Sequence, residues 1–541
     1  MCMNIDTNWE QIVAEKDARI EELEGLVAFY KEQIRLAQIR RFGPSSEKMS
    51  LCDQIEMFEN IKKTDEPETP EPELEVIAHK RRKRIGKRED DLSGLPVEVI
   101  EYELAEEERV CPDCNGKMHE MSHDVRRELK TIPAQAKVLE HRRAVYSCRN
   151  CEKNSDHVPI VQATTPEPVI KGSLASPSAL AHIITQKYET HMPLYRQEVS
   201  WSRQGVALSR QTMANWVIRC AEDWFLQIYD RMKREMLSRE VLHADESGLQ
   251  VLREPGKPAT SNSYMWLYRT SGDAKWHVIL FEYQPSRSHI HPKLFLGVYP
   301  RLLHADGYAA YHMLPPEITV IGCWGHLRRK FTDSLKTNPI KERPDSIAQE
   351  AVKRIGYLFH LEDRWKDIEP EDRYKSRLAA SKPFAEDFFA WLSAQKVLPK
   401  SATGKAISYA FEQRKWLMNF YLDGRTEISN NRIENSVRPL ALGRRNWLFC
   451  NTVRGARASA IVYSIIETAR ANGLKPFEYL EFLLETLPNA TIKSIDNILP
   501  WGDAVPDRCR MPMSKEGARV AEKKQAGDHD RLSPEVFGRG A

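Results

Sequence analysis

The chain has 541 residues, enough for several domains rather than one. Its formal net charge of +3 is almost neutral, so any affinity for nucleic acid has to come from local basic patches and not from the chain as a whole. No run of about 18 apolar residues is present to span a membrane, and 10 cysteines are too few for a disulfide scaffold. The first residues, MCMNIDTNWE, lack an apolar secretory core, so a cytoplasmic protein is expected.

Residues 8–45 carry a heptad. Val13, Ile20, Val27 and Ile34 recur every seven residues, and Trp9, Lys16, Leu23, Tyr30 and Ala37 occupy the other seam position. Charged residues between them give a solvated outer face, which predicts a coiled coil and a homo-oligomer. An amphipathic helix docked on its own chain satisfies the same pattern. Residues 62–95 form a charged linker, acidic and Pro-rich in KKTDEPETPEPELE and basic in HKRRKRIGKRE, with too few apolar residues for a core. The basic run suits DNA phosphates and equally suits a merely solvated stretch.

Residues 97–160 hold Cys111 and Cys114 in CPDC and Cys148 and Cys151 in CRNC, with 33 residues between the pairs. Each pair has the knuckle spacing that lets two thiolates reach one tetrahedral Zn²⁺, and a domain this small would draw much of its stability from the metal. The intervening RRELKTIPAQAKVLEHRRAVYS reads as hairpin material. Redox pairs are the rival reading, although no βαβ pattern surrounds them. Arg126, Arg127, Arg142 and Arg143 suit a DNA-binding module; a scaffold is the plainer role.

Residues 174–235 read as helices. A short helix, a turn at Gly205 and a helix opened by Ser209 as N-cap follow helix-turn-helix spacing. Arg210, Gln211 and Asn215 stand near the start of the second helix, where base edges are read. A plain helical connector fits the pattern too.

From 240 to 490 the pattern changes. REVLHADESGLQVL, SYMWLYRT and WHVILFEY predict three strands, residues 286–298 a helix, RLLHAD and ITVIGCW two more strands, and HLRRKFTDSLK a basic helix. That is the order of an α/β, ribonuclease-H-like core. A helical insertion spans about 340–425, and a C-terminal segment with a polar tail occupies 491–541. Asp245 and Asp306 follow apolar runs and are expected at the ends of buried strands, with Glu434 on a polar helix. Two strand-end Asp and one helical Glu suit a two-metal phosphoryl-transfer site, because carboxylates bind Mg²⁺ and paired ions stabilise both attacking and leaving oxygens. Singly, each acid reads as a turn, cap or solvated residue; their joint order carries the argument. His243 and His304, two residues before each Asp, read as packing groups. Strand alternation is expected to point Glu246 away from Asp245, and Glu427 precedes the helix.

DGYAAY, GCWGHLRRKF and ISNNRIENSVRPLALGRRNWLF strongly resemble the transposases of the bacterial insertion sequence 66 family. The likeness takes in RRFGPSSEK, the CPDC and CRNC pairs, HMPLYRQEVSWSRQGVALSRQTMANWV and the C-terminal LPW, over roughly residues 8–505. Ser247, Gly325 and Ile433 stand where Thr, Ala and Ala are usual, and none of these changes removes an acid. The resemblance implies that Asp245, Asp306 and Glu434 form an Asp-Asp-Glu triad holding two Mg²⁺ or Mn²⁺ ions. It also implies cleavage of element ends, joining of the freed 3′-OH to target DNA, and accessory proteins from the same element. His326, Arg328, Arg329, Lys330, Arg432, Arg438, Arg444 and Arg445 would then contact phosphates. A DNA-binding regulator and a structure-specific nuclease of the same fold are the alternative functions.

Overall fold

The structure, a computed structural model, describes residues 160–512 apart from 298, 300, 338–345 and 490–491. Before residue 160 it describes only Lys16, Val27 and parts of 97–157. The heptad therefore lies outside the described residues save for Lys16 and Val27, both helical and exposed, and the linker 62–95 lies wholly outside. So do Cys111, Cys114 and Cys151, whereas Cys148 is exposed. Residues 142–510 fall within one compact unit; residues 62–141 and 511–541 make a second, whose described residues include no helix. No helix among the described residues is long and apolar enough to cross a membrane.

Strand β1 (Val145–Ser147) pairs antiparallel with β2 (Ile160–Gln162). The described partner of β1 thus lies beyond CRNC. Four helices follow: α1 (Pro177–Tyr188), α2 (Leu194–Arg203), α3 (Arg210–Arg219) and α4 (Leu226–Leu237), the last two joined through a π-helical stretch at Cys220–Phe225. Ser176 caps α1 by accepting the Ala179 N–H, and Ser209 caps α3 by accepting that of Thr212. Gly205, at φ +81°, makes the turn between α2 and α3. Leu180, Ile184, Met213 and Phe225 are fully buried and belong to the same apolar core as the sheet that follows.

That sheet is built from β3 (Val241–Arg253), β4 (Asn262–Thr270), β5 (Ile279–Gln284), β6 (Leu302–His304) and β7 (Thr319–Ile321). Its order is β5-β4-β3-β6-β7; β3 to β5 form an antiparallel meander, and β6 and β7 run parallel to β3. Helix α5 (Ile290–Leu296) makes the crossover to β6, and the one-turn α6 (Ala309–His312) lies between β6 and β7. Parallel neighbours need such crossovers, whereas the meander needs only turns.

Both sheet edges are covered. At β5 the Ile279 and Phe281 N–H groups donate to Thr468 Oγ1 and Ser464 Oγ at 3.0 and 2.8 Å. These hydroxyls come from α13 (Val453–Ala471), so a helix closes an edge that otherwise presents unpaired backbone. Beyond β7, the Gly322 N–H donates to Trp416 O at 2.9 Å, at a close approach where a Cβ on Gly322 would lie 3.1 Å from the Leu417 nitrogen.

Helix α7 (Trp324–Thr337) leads into the insertion, made of α8 (Ile347–Arg364), α9 (Pro370–Ser376), α10 (Lys382–Ser393) and α11 (Ala402–Met418). Ile355, Leu358, Phe388, Phe389, Trp324 and Phe331 give these helices a core of their own. The chain returns through 419–430 to α12 (Asn431–Trp447) and β8 (Cys450–Thr452), which pairs in parallel with the far end of β3, Val251 against Cys450. After α13 and α14 (Pro476–Thr486), buried Ile495, Ile498, Leu499, Val505 and Cys509 carry the sheet's core on to Arg510.

Candidate active site

Asp245 is not at a strand end: it is the fifth residue of a 13-residue strand. The strand runs on because β4 stays paired with it to Gln250 and β8 takes over at Val251. What stops is the parallel neighbour. β6 ends at His304, opposite His243, so the flank of β3 opens from Ala244 onward. Carrying that register two residues further sets Asp306 beside Asp245 at the mouth where β3 and β6 part. Asp245 Oδ1 accepts the Glu246 N–H and Asp306 Oδ1 accepts the Tyr308 N–H, both at 2.9 Å, so each carboxylate is oriented by backbone.

Glu434 arrives from the first turn of α12 and is only 5% exposed. Arg329 of α7 reaches its Oε2 at 3.3 Å, and His326 Nε2 lies 3.7 Å from its Oε1. Oε1 has no hydrogen-bond partner among the described residues. Burial, then the negative charges of Glu246, Asp306 and Glu434, hold the Asp245 carboxyl well above the usual carboxylate range. Acids gathered at this density repel one another, and a divalent cation would relieve that repulsion. The all-oxygen donor set with an unpaired buried oxygen suits a hard ion such as Mg²⁺ or Mn²⁺.

The capping residue of α12 serves another purpose than capping. Asn430 makes no side-chain cap bond; its Oδ1 accepts from His243 Nδ1 at 2.8 Å and its Nδ2 donates to Ala244 O at 3.1 Å. His243 stacks on His304, ring centres 4.6 Å apart, and His304 Nε2 accepts the Glu427 N–H at 2.9 Å. Burial depresses both imidazoles, so they are neutral hydrogen-bonding plates that pin segment 427–430 to β3 and β6. Glu427 itself is drawn outward to Arg432 Nε at 2.6 Å and to the Gly272 N–H at 3.0 Å.

Cys323, His326 and Glu434 offer ligand atoms within 4.8 Å of one another. Cys323 sits where α7 begins, and its Sγ accepts the Asn430 N–H at 3.1 Å. Burial pushes its thiol up to about 12, and burial takes His326 down to about 4. Cys323 is thus a neutral acceptor joining two helix starts.

The basic residues expected to face DNA divide. Arg210, Gln211, Asn215, Arg328, Lys330 and Arg445 are exposed, and Arg438 is partly so. Three are turned to other work. Arg329 faces Glu434, Arg432 pairs with Glu427, and Arg444 donates to Gly248 O and, at 3.3 Å, to Ser247 Oγ. Helix pitch turns those three toward acceptors of the chain itself, a placement that charge alone does not reveal.

Glu246 also departs from expectation. Expected to point away from Asp245, it is 6% exposed and its charge still acts on Asp245, with its carboxylate bound by Arg287 Nε at 2.6 Å and Tyr311 Oη at 2.5 Å. Burial, followed by the charge of Asp306, raises it to about 7 against the opposing pull of Arg287 and Tyr311. Tyr308, at the N-cap of α6, and Tyr311 within it lie edge to face, ring centres 6.4 Å apart; nothing in the sequence marked Arg287.

Residues 172–458, with this sheet and these acids, match the Transposase IS66 family, and the chain belongs to that family, whose members cut and join DNA. Residues 108–152 match the zinc-finger binding domain of transposase IS66, 464–501 the IS66 C-terminal element, and 30–100 a segment described as Transposase C of IS166 homeodomain. Among curated relatives is the uncharacterized protein y4jD of Sinorhizobium fredii, 29% identical over 76% of this chain and 82% of its own length. Two more from that organism, y4hP and y4qI, are also uncharacterized. The first is 27% identical over 87% of this chain and 88% of itself, the second 29% over 75% and 76%.

Proposed function

We propose that this chain is an Asp-Asp-Glu transposase with a ribonuclease-H-like catalytic core, in which Asp245, Asp306 and Glu434 hold two divalent ions. The carrying observation is the meeting of three acids from distant segments, with Glu434 Oε1 buried and unpaired among the described residues and Asp245 raised by its acidic neighbours. Two Mg²⁺ or Mn²⁺ ions bound there would supply Lewis acidity to both the attacking and the leaving oxygen. Water first displaces the 3′-oxygen at the element's end from phosphorus. The freed 3′-OH then attacks a target phosphodiester in line, and the target's 3′-oxygen leaves. The protein's part is to orient these groups: Arg329 holds one oxygen of Glu434 and leaves the other for metal, while Asn430 and His243 fix the start of α12.

Around this core, exposed Arg328, Lys330 and Arg445 and the partly exposed Arg438 serve as phosphate contacts, and Arg210, Gln211 and Asn215 read base edges. Cys111, Cys114, Cys148 and Cys151 hold one structural zinc, and the heptad at 8–45 joins copies of the chain. Purified protein with Mg²⁺, labelled element-end DNA and a target plasmid tests the reading. Joined products are expected from the wild type, and their loss with retained DNA binding from Asp245→Ala, Asp306→Ala or Glu434→Ala. Cleavage without joining would make the chain a nuclease, binding alone a regulator, and joining by the triad variants would overturn the site.

A further inference from the structure

Glu246 lies outside the proposed triad yet sits in the tightest polar cluster beside it. Its Oε1 accepts from Arg287 Nε at 2.6 Å and its Oε2 from Tyr311 Oη at 2.5 Å. The Arg287 guanidinium stacks over the Tyr308 ring at 3.7 Å, and the Tyr308 hydroxyl donates to Arg287 O at 2.9 Å. The Tyr308 N–H in turn donates to Asp306 Oδ1 at 2.9 Å. A closed circuit therefore runs from β3 through Glu246, Arg287 and Tyr308 to Asp306, and returns through Tyr311. It spans three elements that backbone ladders leave unconnected: β3 beyond Ala244, the loop after β5, and the turn after β6.

Stability alone gives little reason for this circuit. A buried carboxylate–guanidinium pair is often no better than apolar residues of the same volume. Placing one beside Asp245 and Asp306 adds repulsion, since the charge of Asp306 acts against Glu246 and that of Glu246 against Asp245. Arg287 balances Glu246 formally, so the pair contributes geometry to the site more than field.

We infer that Glu246 is a positioning residue: by holding Arg287 and Tyr311 it clamps the Asp306 turn to β3, so that Asp245 and Asp306 reach one divalent cation together. This rests on the reading of those two acids as metal ligands. Partners of that kind commonly alter metal affinity or activity about 10- to 100-fold when removed. Glu246→Gln keeps the size but can accept from only one of the two arms. Tyr311→Phe removes one arm and changes no charge.

The experiment is Mn²⁺ binding by calorimetry to the full-length chain without DNA, alongside thermal melting without added Mn²⁺, for wild type, Asp306→Ala, Glu246→Gln, Tyr311→Phe and the last two combined. Asp306→Ala is expected to lose the Mn²⁺ site. Glu246→Gln and Tyr311→Phe should each weaken it about 10-fold or more. The double variant should fall little below the weaker single, because both cut the same circuit. Wild-type affinity in both single variants, with the site lost in Asp306→Ala, would overturn the positioning role and leave the triad standing. A lower melting temperature with unchanged affinity would make the circuit a brace and overturn it as well. Weakening by Glu246→Gln alone would point to charge instead of position and overturn it too. Full Mn²⁺ binding by Asp306→Ala would remove the ligand reading and the inference together.

Discussion

Arg377 offers the sharpest test of how the helical insertion supports the site. Its side chain is 1% exposed and meets Glu362, 11% exposed, through two bonds of 2.9 and 2.6 Å. It also donates to Asp423 O at 2.8 Å and to Thr426 O and Oγ1 at 2.9 Å, and lies 4.0 Å over Phe420. It thereby ties the insertion to the segment that runs into Asn430 and α12. Arg377→Met keeps an apolar stem and removes every donor. Removing one member of a buried pair costs about 3–5 kcal/mol, and each orphaned buried carbonyl about 1–3 kcal/mol more. These overlap, so a net loss of about 4 kcal/mol or more is expected. Adding Glu362→Leu removes the stranded carboxylate and should bring the loss back to about 2 kcal/mol, the remainder being the two carbonyls. Urea unfolding followed by tryptophan fluorescence reports it, since Trp324 and Trp391 belong to the insertion's core. A loss under about 1 kcal/mol for the single variant, or a double variant no better than the single, would refute the reasoning.

Glu282, raised by burial from 4.5 to about 7, makes a pH test. Between those values the folded chain binds more protons than the unfolded one, so stability falls as pH rises through the window. Glu282→Gln should match wild type below pH 4.5 and exceed it increasingly up to about 7, as read from urea midpoints at each pH. For the zinc segment, metal analysis should find about one tightly held zinc per chain, lost in Cys111→Ser with Cys148→Ser. For the heptad, Ile20→Asp should lower the mass measured by light scattering, because it sets a charge in the seam; an unchanged mass favours a docked helix.

The strand–helix order from 241 to 337 was legible because apolar runs and turn residues alternate plainly there. Asp245 and Asp306 could be paired in advance for a physical reason: a parallel register keeps a constant offset, and the two HAD stretches share it. What could not be read was decided by partners. Asp245 lies inside a strand because β4 and β8 prolong β3 past the point where β6 stops. Glu246 faces inward because Arg287, from a loop with no pattern of its own, meets it there. Arg329 was read as a phosphate contact because a run of three cations gives no sign of which one the helix turns toward Glu434. Nothing in the sequence singles out Asn430, whose side chain is committed to His243 and Ala244 of the neighbouring strand.

The pairing of β8 with the far end of β3 has a consequence in time. Val251 is made well before Cys450, and Asp245 well before Glu434, so the sheet and its acids cannot be complete until most of the chain has left the ribosome. At about 5–20 residues per second, the 189 residues from Glu246 through Glu434 take about 10–40 s to synthesise. A nascent or prematurely terminated chain would carry the zinc segment and the helices up to Leu237 without the three acids assembled. On the proposed assignment of DNA binding to the zinc segment and these helices, and of cleavage to the three acids, such fragments would occupy DNA without cutting it, and interrupted synthesis would yield competitors of the complete protein.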